Sequence, residues 1–261
     1  MLFHFQNLSK FSNIHHFVST RKNGVSITPY EGLNLGFGTE DSPENVVQNR
    51  KILAEEAKIP LENWCVPQQT HSINVITVGT SDKGKGVFSK ETAIQDTDAL
   101  ITNQKGIALL VQSADCVCSL YYDPIKQVIG ACHAGWRGTV GKLPQKVILQ
   151  MQKEFGCNPK DILVGIGACI SPKMYEVGQD VVDAVEQAFG TREKYLSWND
   201  NSRKYHFHLH EAHRQQLSQV GIQENHLEFI QECTYEHSEL FFSARRDKNK
   251  TGRFGAGIML T

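Results

Sequence analysis

The sequence predicts an α+β fold in a single domain, and three observations carry that expectation. Helical and extended patterns both occur, but helices do not alternate regularly with strands as a doubly wound sheet would require. Several extended runs are continuously apolar, as in strands buried on both faces. No repeat of 20 to 50 residues is visible. At roughly 150 residues per domain, 261 residues allow one large domain or two small ones. No break in composition forces two, so residues 1–261 read as one unit.

Residues 1–41 carry short apolar runs broken by Gly24, Pro29, Gly32, Gly36 and Gly38, a pattern of strands and turns. Ser42-Pro43 then offers a helix N-cap followed by proline at the first helical position, with Glu44 where the helix dipole favours a negative charge. A helix to about residue 58 follows, its stripe formed by Val46, Leu53, Ala54 and Ala57. Arg50 falls on that same stripe, and an inward-facing arginine calls for an anionic partner. Strands are expected at 73–78, 99–102, 107–111, 117–122, 128–133 and 162–167. Between the last two, Val140, Leu143, Val147, Ile148 and Met151 recur at helical spacing up to Gly156. Pro144 belongs near the first regular turn, since further inside it would break the helix. Further helices are expected at 178–189, stopped by Gly190, and at 211–220, stopped by Gly221, before late strands at 227–230 and 254–260.

Composition narrows the function classes. Twenty-seven Lys plus Arg stand against 28 Asp plus Glu, so the formal net charge of -1 carries no electrostatic signature of nucleic-acid binding. A hydrophobic fraction of 40% with 21% charged residues is too apolar for a disordered chain. No apolar run approaches the ~18 residues of a membrane span, and Met1 to Phe11 lack the pattern of a secretory signal. The expectation is a cytoplasmic protein without a membrane partner, as a monomer or small homo-oligomer. Seven scattered cysteines, an odd number in a chain of this length, argue for reduced thiols that are buried, metal-bound or catalytic.

Three segments concentrate reactive side chains at predicted strand ends: Gln68-Gln69-Thr70-His71, Ser113-Ala114-Asp115-Cys116, and His133-Ala134-Gly135-Trp136-Arg137-Gly138. Strand ends are where a rigid scaffold presents functional groups, so these three could converge on one point. Two imidazoles and one thiolate suit Zn²⁺, and three protein ligands leave the open position that distinguishes a catalytic from a structural zinc site. The spacings, 45 and 17 residues, are unlike the paired ligands of zinc fingers and do not by themselves decide the matter. A thiolate nucleophile with a histidine base would use the same residues. Both uses require Cys116 to be deprotonated.

A family resemblance begins at these segments. Leu33-Asn34-Leu35-Gly36, Asn49-Arg50, Gln69-Thr70-His71, Asp96-Thr97-Asp98-Ala99, Ala114-Asp115-Cys116, the run from Gly130 through His133-Ala134-Gly135-Trp136-Arg137-Gly138 to Thr139, Tyr175-Glu176-Val177-Gly178, and Phe242-Ser243 with Arg245-Arg246-Asp247 resemble the YfiH/YlmD family. Its members are called laccase-domain or polyphenol oxidoreductase proteins and also purine nucleoside phosphorylases. The resemblance spans nearly the whole chain in order. It implies a β-sandwich-like core flanked by helices and zinc held by His71, Cys116 and His133. It also implies phosphorolysis of adenosine, inosine, guanosine and S-methyl-5′-thioadenosine, with some adenosine deamination. Arg50 matches the arginine expected to hold phosphate.

The implied chemistry assigns provisional roles. Phosphorolysis needs a clamp on a dianion, tolerance of positive charge on the ribose, and a proton for the departing purine. Arg50, helped by Arg137, can supply planar bidentate donors. Zinc can orient substrate or activate a water for deamination at the purine C6. Asp115 is a candidate general base or a support for the metal cysteine, the alternative being a carboxylate that caps a turn. Asn34 could hydrogen-bond the nucleoside, or equally hold a turn. Trp136 could stack on a base, although packing is the commoner use.

Other clusters carry less. His206, His208 and His210 share a face if that stretch is extended, which is metal-like spacing, but His208 and His210 depart from the family's pattern there. Cys118, two residues after Cys116, is read as core. Arg245, Arg246, Lys248, Lys250 and Arg253 read as a solvated hairpin or as an anion-binding rim. Two other enzymatic readings use the same centre: a metal-free Cys116–His133 hydrolase acting on an amide, as in peptidoglycan precursor editing, and a copper enzyme oxidising phenols. Multicopper oxidases need many more histidines than can be assembled here. A zinc-binding module without enzymatic activity is the remaining alternative.

Overall fold

The structure is a computed structural model that describes residues 2–261; Met1 lies outside the described residues. The strands in chain order are β1 (Leu2–Phe3), β2 (Ile14–Ser19), β3 (Trp64–Cys65), β4 (Val75–Thr77), β5 (Ala99–Thr102), β6 (Ala108–Ser113), β7 (Val117–Asp123), β8 (Val128–Ala134), β9 (Leu163–Ile166), β10 (Glu176–Val177), β11 (Leu196–Asn199), β12 (Lys204–Phe207), β13 (Leu227–Phe229) and β14 (Phe254–Leu260). The helices are α1 (Pro43–Ala57), α2 (Trp136–Val140), α3 (Leu143–Phe155), α4 (Gln179–Phe189) and α5 (Leu209–Gln219). None of them is long and apolar enough to cross a membrane.

Two large sheets form the frame. One has the order β1-β2-β14-β6-β3 and the other β13-β9-β7-β8-β5-β4, while β10-β12-β11 make a small separate sheet. The period-2 alternation of strands decides what lies between the layers. On β6, Leu109 and Val111 point into a core shared with Cys118, Leu120 and Tyr122 of β7 and Ala256 and Ile258 of β14, so the two large sheets pack face to face. The alternate residues Ala108 and Leu110 of β6 face outward against Leu53 and Ala54 of α1 and against Trp64. On the far side, Val117 and Tyr121 of β7 and Cys132 and Ala134 of β8 meet Val147 and Met151 of α3 and Leu217 of α5. The molecule is therefore layered as helix, sheet, sheet, helices. This is the α+β sandwich with flanking helices expected from the sequence, and Cys118 is core as expected.

Most local signals act as the sequence suggests. α1 ends at Ala57, with Lys58 left-handed at its C-cap, and α3 and α4 end on left-handed Gly156 and Gly190. Ser42 occupies the N-cap of α1, but its hydroxyl bonds Glu44 rather than the helix backbone. The helical pattern after His133 is two helices: a left-handed Lys142 separates α2 from α3, which places Pro144 in the first turn, where its missing N–H costs nothing. The small β10-β12-β11 sheet corresponds to no expectation drawn for 196–199.

Candidate metal centre and its cavity

The site lies where the chain crosses from one large sheet to the other. The segment from β3 to β4 makes one crossing and carries His71; the turn from β6 to β7 makes another and carries Asp115 and Cys116. His133 stands near the end of β8, just before α2. The three expected ligand atoms lie within 4.8 Å of one another, with Cys116 Sγ 3.9 Å from His71 Nε2. Among the described residues this is the one group of three or more His, Cys, Asp or Glu side chains placed to hold a metal ion.

The backbone is bent to make this meeting possible. His71 has φ 62° and Asp115 φ 92°, left-handed conformations that non-glycine residues rarely adopt and that cluster at functional sites. Gly135 allows the third segment to approach: a Cβ there would stand 2.6 Å from Cys116 Sγ and 3.2 Å from His71 Cδ2. An alanine would displace two of the three ligands, so the glycine between His133 and Trp136 shapes the centre rather than merely a turn.

Asp98, not singled out as a site residue from the sequence, organises the cluster. Its Oδ1 pairs with His133 Nδ1 at 2.8 Å, leaving Nε2 for the centre. Its Oδ2 accepts the backbone N–H groups of Thr70 at 3.1 Å and Ser72 at 2.6 Å, on either side of His71. One fully buried carboxylate thus fixes two ligand segments. Burial pushes its carboxyl up, but the bonds from His133 and Ser72 prevail and hold it below the usual range. The signal available was an acidic residue at the start of a buried strand, a poor place for a carboxylate without a partner.

The thiols separate in the same way. Burial pushes Cys118, Cys132, Cys157 and Cys169 up, as for inert core cysteines. Burial also pushes Cys116 up, yet His133 and His71 overcome it and draw the thiol down to about 6. The desolvation that would lower His133 is likewise overcome by Cys116 and Asp98, which hold it up at about 9. A thiolate and two imidazoles with an oriented tautomer form a donor set that fits a borderline-soft divalent ion.

The centre opens on a cavity of about 460 Å³, within the range of small-molecule sites. Phe37, Gln112, Arg50, Lys90 and Arg253 line it together with the three ligands. Gln112 Nε2 is buried beside it without a hydrogen-bond partner among the described residues.

The remaining expected site residues are placed differently. Arg50 lines the cavity but is only 1% exposed, and it makes four N–H···O contacts: Nε and Nη2 to Leu35 O, and Nη1 to Gly86 O and Val87 O. Its expected anionic partner is therefore replaced by carbonyls, and desolvation lowers its pKa to about 9. Of five guanidinium N–H groups at most one remains, too few for a bidentate phosphate clamp. Arg137 is exposed on α2, stacks on Trp136 at 4.3 Å and is not part of the cavity wall. Asn34 is buried with Nδ2 on Thr39 and Asp41 and Oδ1 on the N–H groups of Gly36 and Arg253, so it holds a turn rather than a nucleoside. Asp115 accepts Thr234 Oγ1 at 2.6 Å and the Arg245 N–H at 2.7 Å; both oxygens tie loops together and neither is free for general-base work.

The histidine-rich stretch does not converge. His206 Nδ1 bonds Pro172 O, His208 Nε2 bonds Ser197 Oγ and His210 Nε2 bonds Gly167 O. β12 ends at Phe207 and α5 begins at Leu209, so the extended geometry needed for a shared face is lost.

The model of the family described as multi-copper polyphenol oxidoreductase laccase matches residues 15–261. A purine nucleoside phosphorylase of Bacteroides thetaiotaomicron is 36% identical over 256 residues, 98% of this chain and 95% of the relative. Adenosine deaminase RL5, from an unknown prokaryotic organism, is 31% identical over 94% of this chain and 92% of its own length. The crystal structure of the Bacillus licheniformis protein YfiH superposes with a TM-score of 0.91 at 32% identity, over 95% of this chain and 93% of that one. Together with the motifs that line the crossing between the sheets, these matches place the chain in the YfiH/YlmD family of laccase-domain proteins.

Proposed function

We propose that this chain is a zinc-dependent purine nucleoside phosphorylase acting on adenosine, inosine, guanosine and S-methyl-5′-thioadenosine, with adenosine deaminase side activity. The observation that carries the reading is the His71–Cys116–His133 group opening onto a cavity of nucleoside size. Relatives named for these two activities support it. In phosphorolysis a phosphate oxygen forms a bond to C1′ as the C1′–N bond breaks. The electron pair leaves with the purine, which takes a proton, and no oxidant is needed. When bound, zinc would supply a Lewis acid to orient substrate oxygens and, for deamination, to acidify a water. The protein's own contribution is orientation. Asp98 fixes the His133 tautomer, and Phe37 offers the base an aromatic ring backed by the Arg50 guanidinium at 4.4 Å.

A second reading keeps the amide hydrolase. Cys116 drawn down to about 6 beside a protonated His133 is the arrangement of a thiolate nucleophile with its acid–base partner. Copper oxidation of phenols is less well served, because one His₂Cys group supplies ligands for one ion.

The test is incubation of zinc-loaded protein with inosine or adenosine, with and without phosphate, followed by assay of free base and ribose 1-phosphate. Phosphate-dependent release of both is expected. Neither product, with metal analysis confirming loading, would overturn phosphorolysis and direct the search to Cys116-dependent amide cleavage. Phosphate-independent inosine formation from adenosine would isolate the deaminase.

A further inference from the structure

We propose that Arg253 is the group that binds phosphate in the cavity; the inference deepens the phosphorylase reading and rests on it for the identity of the anion. Three lysine and arginine side chains line the cavity: Arg50, Lys90 and Arg253. Arg50 has almost no donor left, and Lys90 is an exposed side chain on a short helical turn, without a fork. Arg253 differs from both. Its Nη1 donates to Thr251 O at 2.8 Å and Gly252 O at 2.9 Å, which fixes the plane of the guanidinium. Its Nε and Nη2 make no hydrogen bond to the described residues, and the edge they form is the one that grips two oxygens of a tetrahedral anion side-on.

The surroundings hold this arginine in place. Its backbone N–H donates to Asn34 Oδ1 at 2.9 Å and its carbonyl accepts the Leu35 N–H at 2.9 Å, so the residue is pinned to the turn that Asn34 builds. Gly36 makes room for the stem: a Cβ there would stand 2.6 Å from Arg253 Cγ. The Asn34-Leu35-Gly36 motif therefore serves the anion indirectly, by placing Arg253, rather than by touching the nucleoside. Among the described residues, neither Asp115 nor Cys116 forms a hydrogen bond with the Arg253 guanidinium. The oxygens of Asp115 are already taken by Thr234 and Arg245. An arginine in a partly desolvated wall, attracted by the centre but not neutralised by a bound carboxylate, is suited to a dianion that must lie beside that centre.

The experiment is titration of the zinc-loaded protein with inorganic phosphate by calorimetry, alongside steady-state kinetics with phosphate and inosine varied separately. Arg253→Ala should weaken phosphate binding ~10–100-fold, the scale of a lost charged hydrogen-bond pair, and raise the KM for phosphate in proportion while that for inosine changes less than about twofold. Arg253→Lys, which keeps the charge and the bulk but loses the fork, should fall between, and it serves as the decisive variant if the alanine form does not fold. Zinc content should stay at the wild-type level in both. Unchanged phosphate affinity in a folded, zinc-replete Arg253 variant would overturn the assignment. Arg253-dependent phosphate binding without base release by the wild type would uphold it while overturning phosphorolysis, so the two failures are distinguishable.

Discussion

Two regions of this molecule are rich in histidine, and only one of them gathers its imidazoles. His71 and His133 come from segments 62 residues apart and meet Cys116 where the chain passes between the large sheets. His206, His208 and His210 are two residues apart, yet each turns to a different backbone or hydroxyl partner. Proximity in sequence serves a metal only if the local element holds the right period, and a strand that becomes a helix at residue 209 loses it. Strand ends fixed by two packed sheets need no such local agreement.

The largest effect that separates the regions is removal of the thiolate. Cys116→Ala should abolish tight zinc binding and activity together, because two imidazoles alone leave the ion with too few protein ligands. Zinc content after dialysis and turnover both report it; full phosphorolysis by this variant would remove the His71–Cys116–His133 centre from the reaction.

The next effect concerns buried histidines with and without a carboxylate. His133 has Asp98 and is held up at about 9, while His213 of α5 is fully buried against Thr139 with no acidic partner among the described residues and is driven by desolvation to about 3. A folded-state pKa below the unfolded value of 6.5 means the unfolded chain binds the proton first, so His213 subtracts stability as pH falls from 6.5 towards 3. Between pH 7 and 4 the loss attributable to His213 should be roughly 3 kcal/mol. Urea unfolding of the wild type and His213→Leu at both pH values checks it: the variant should lose that much less on acidification. Equal losses would show that His213 is not held neutral.

Asp98→Asn probes the carboxylate itself. The amide preserves volume but cannot accept from His133 and both loop N–H groups with the same charge. Zinc affinity should fall ~10–100-fold with the fold retained, as is usual for groups that orient metal ligands. Competition with a chelator measures it, and wild-type affinity would remove Asp98 from its positioning role.

How much of this was legible in the sequence follows from the same contrast. The helix ends at Gly156 and Gly190, the strands at 99–102 and 254–260, and the inward face of α1 were readable because each depends on local period and capping. The convergence of His71, Cys116 and His133 was readable through motif and strand-end position. The partners were not, because they depend on side-chain convergence from distant segments. Arg50 was correctly placed inward, but the carbonyls of Leu35, Gly86 and Val87 that neutralise its need for an anion carry no sequence signature. Asn34, Asp115 and Arg137 were polar residues within the right motifs whose hydrogen bonds or ring contacts point away from substrate. Arg253 stood in the basic stretch read as a solvated hairpin or an anion-binding rim, and it is the turn at Asn34 and the bare backbone of Gly36 that bring it to the cavity.

The smallest expected effect is the most direct test of the difference between the two regions. His208→Ala with His210→Ala removes two imidazoles whose bonds go to Ser197 Oγ and Gly167 O. Each lost bond should cost about 1 kcal/mol of stability, and the edge contact of His210 with Phe229 at 5.3 Å adds little. Because neither imidazole points to a shared ion, zinc stoichiometry should equal that of the wild type and the KM for inosine should not move. A loss of bound metal here, with His71, Cys116 and His133 intact, would mean that sequence-local spacing had made a second centre after all. The reading that only the crossing between the sheets can gather ligands would then fail.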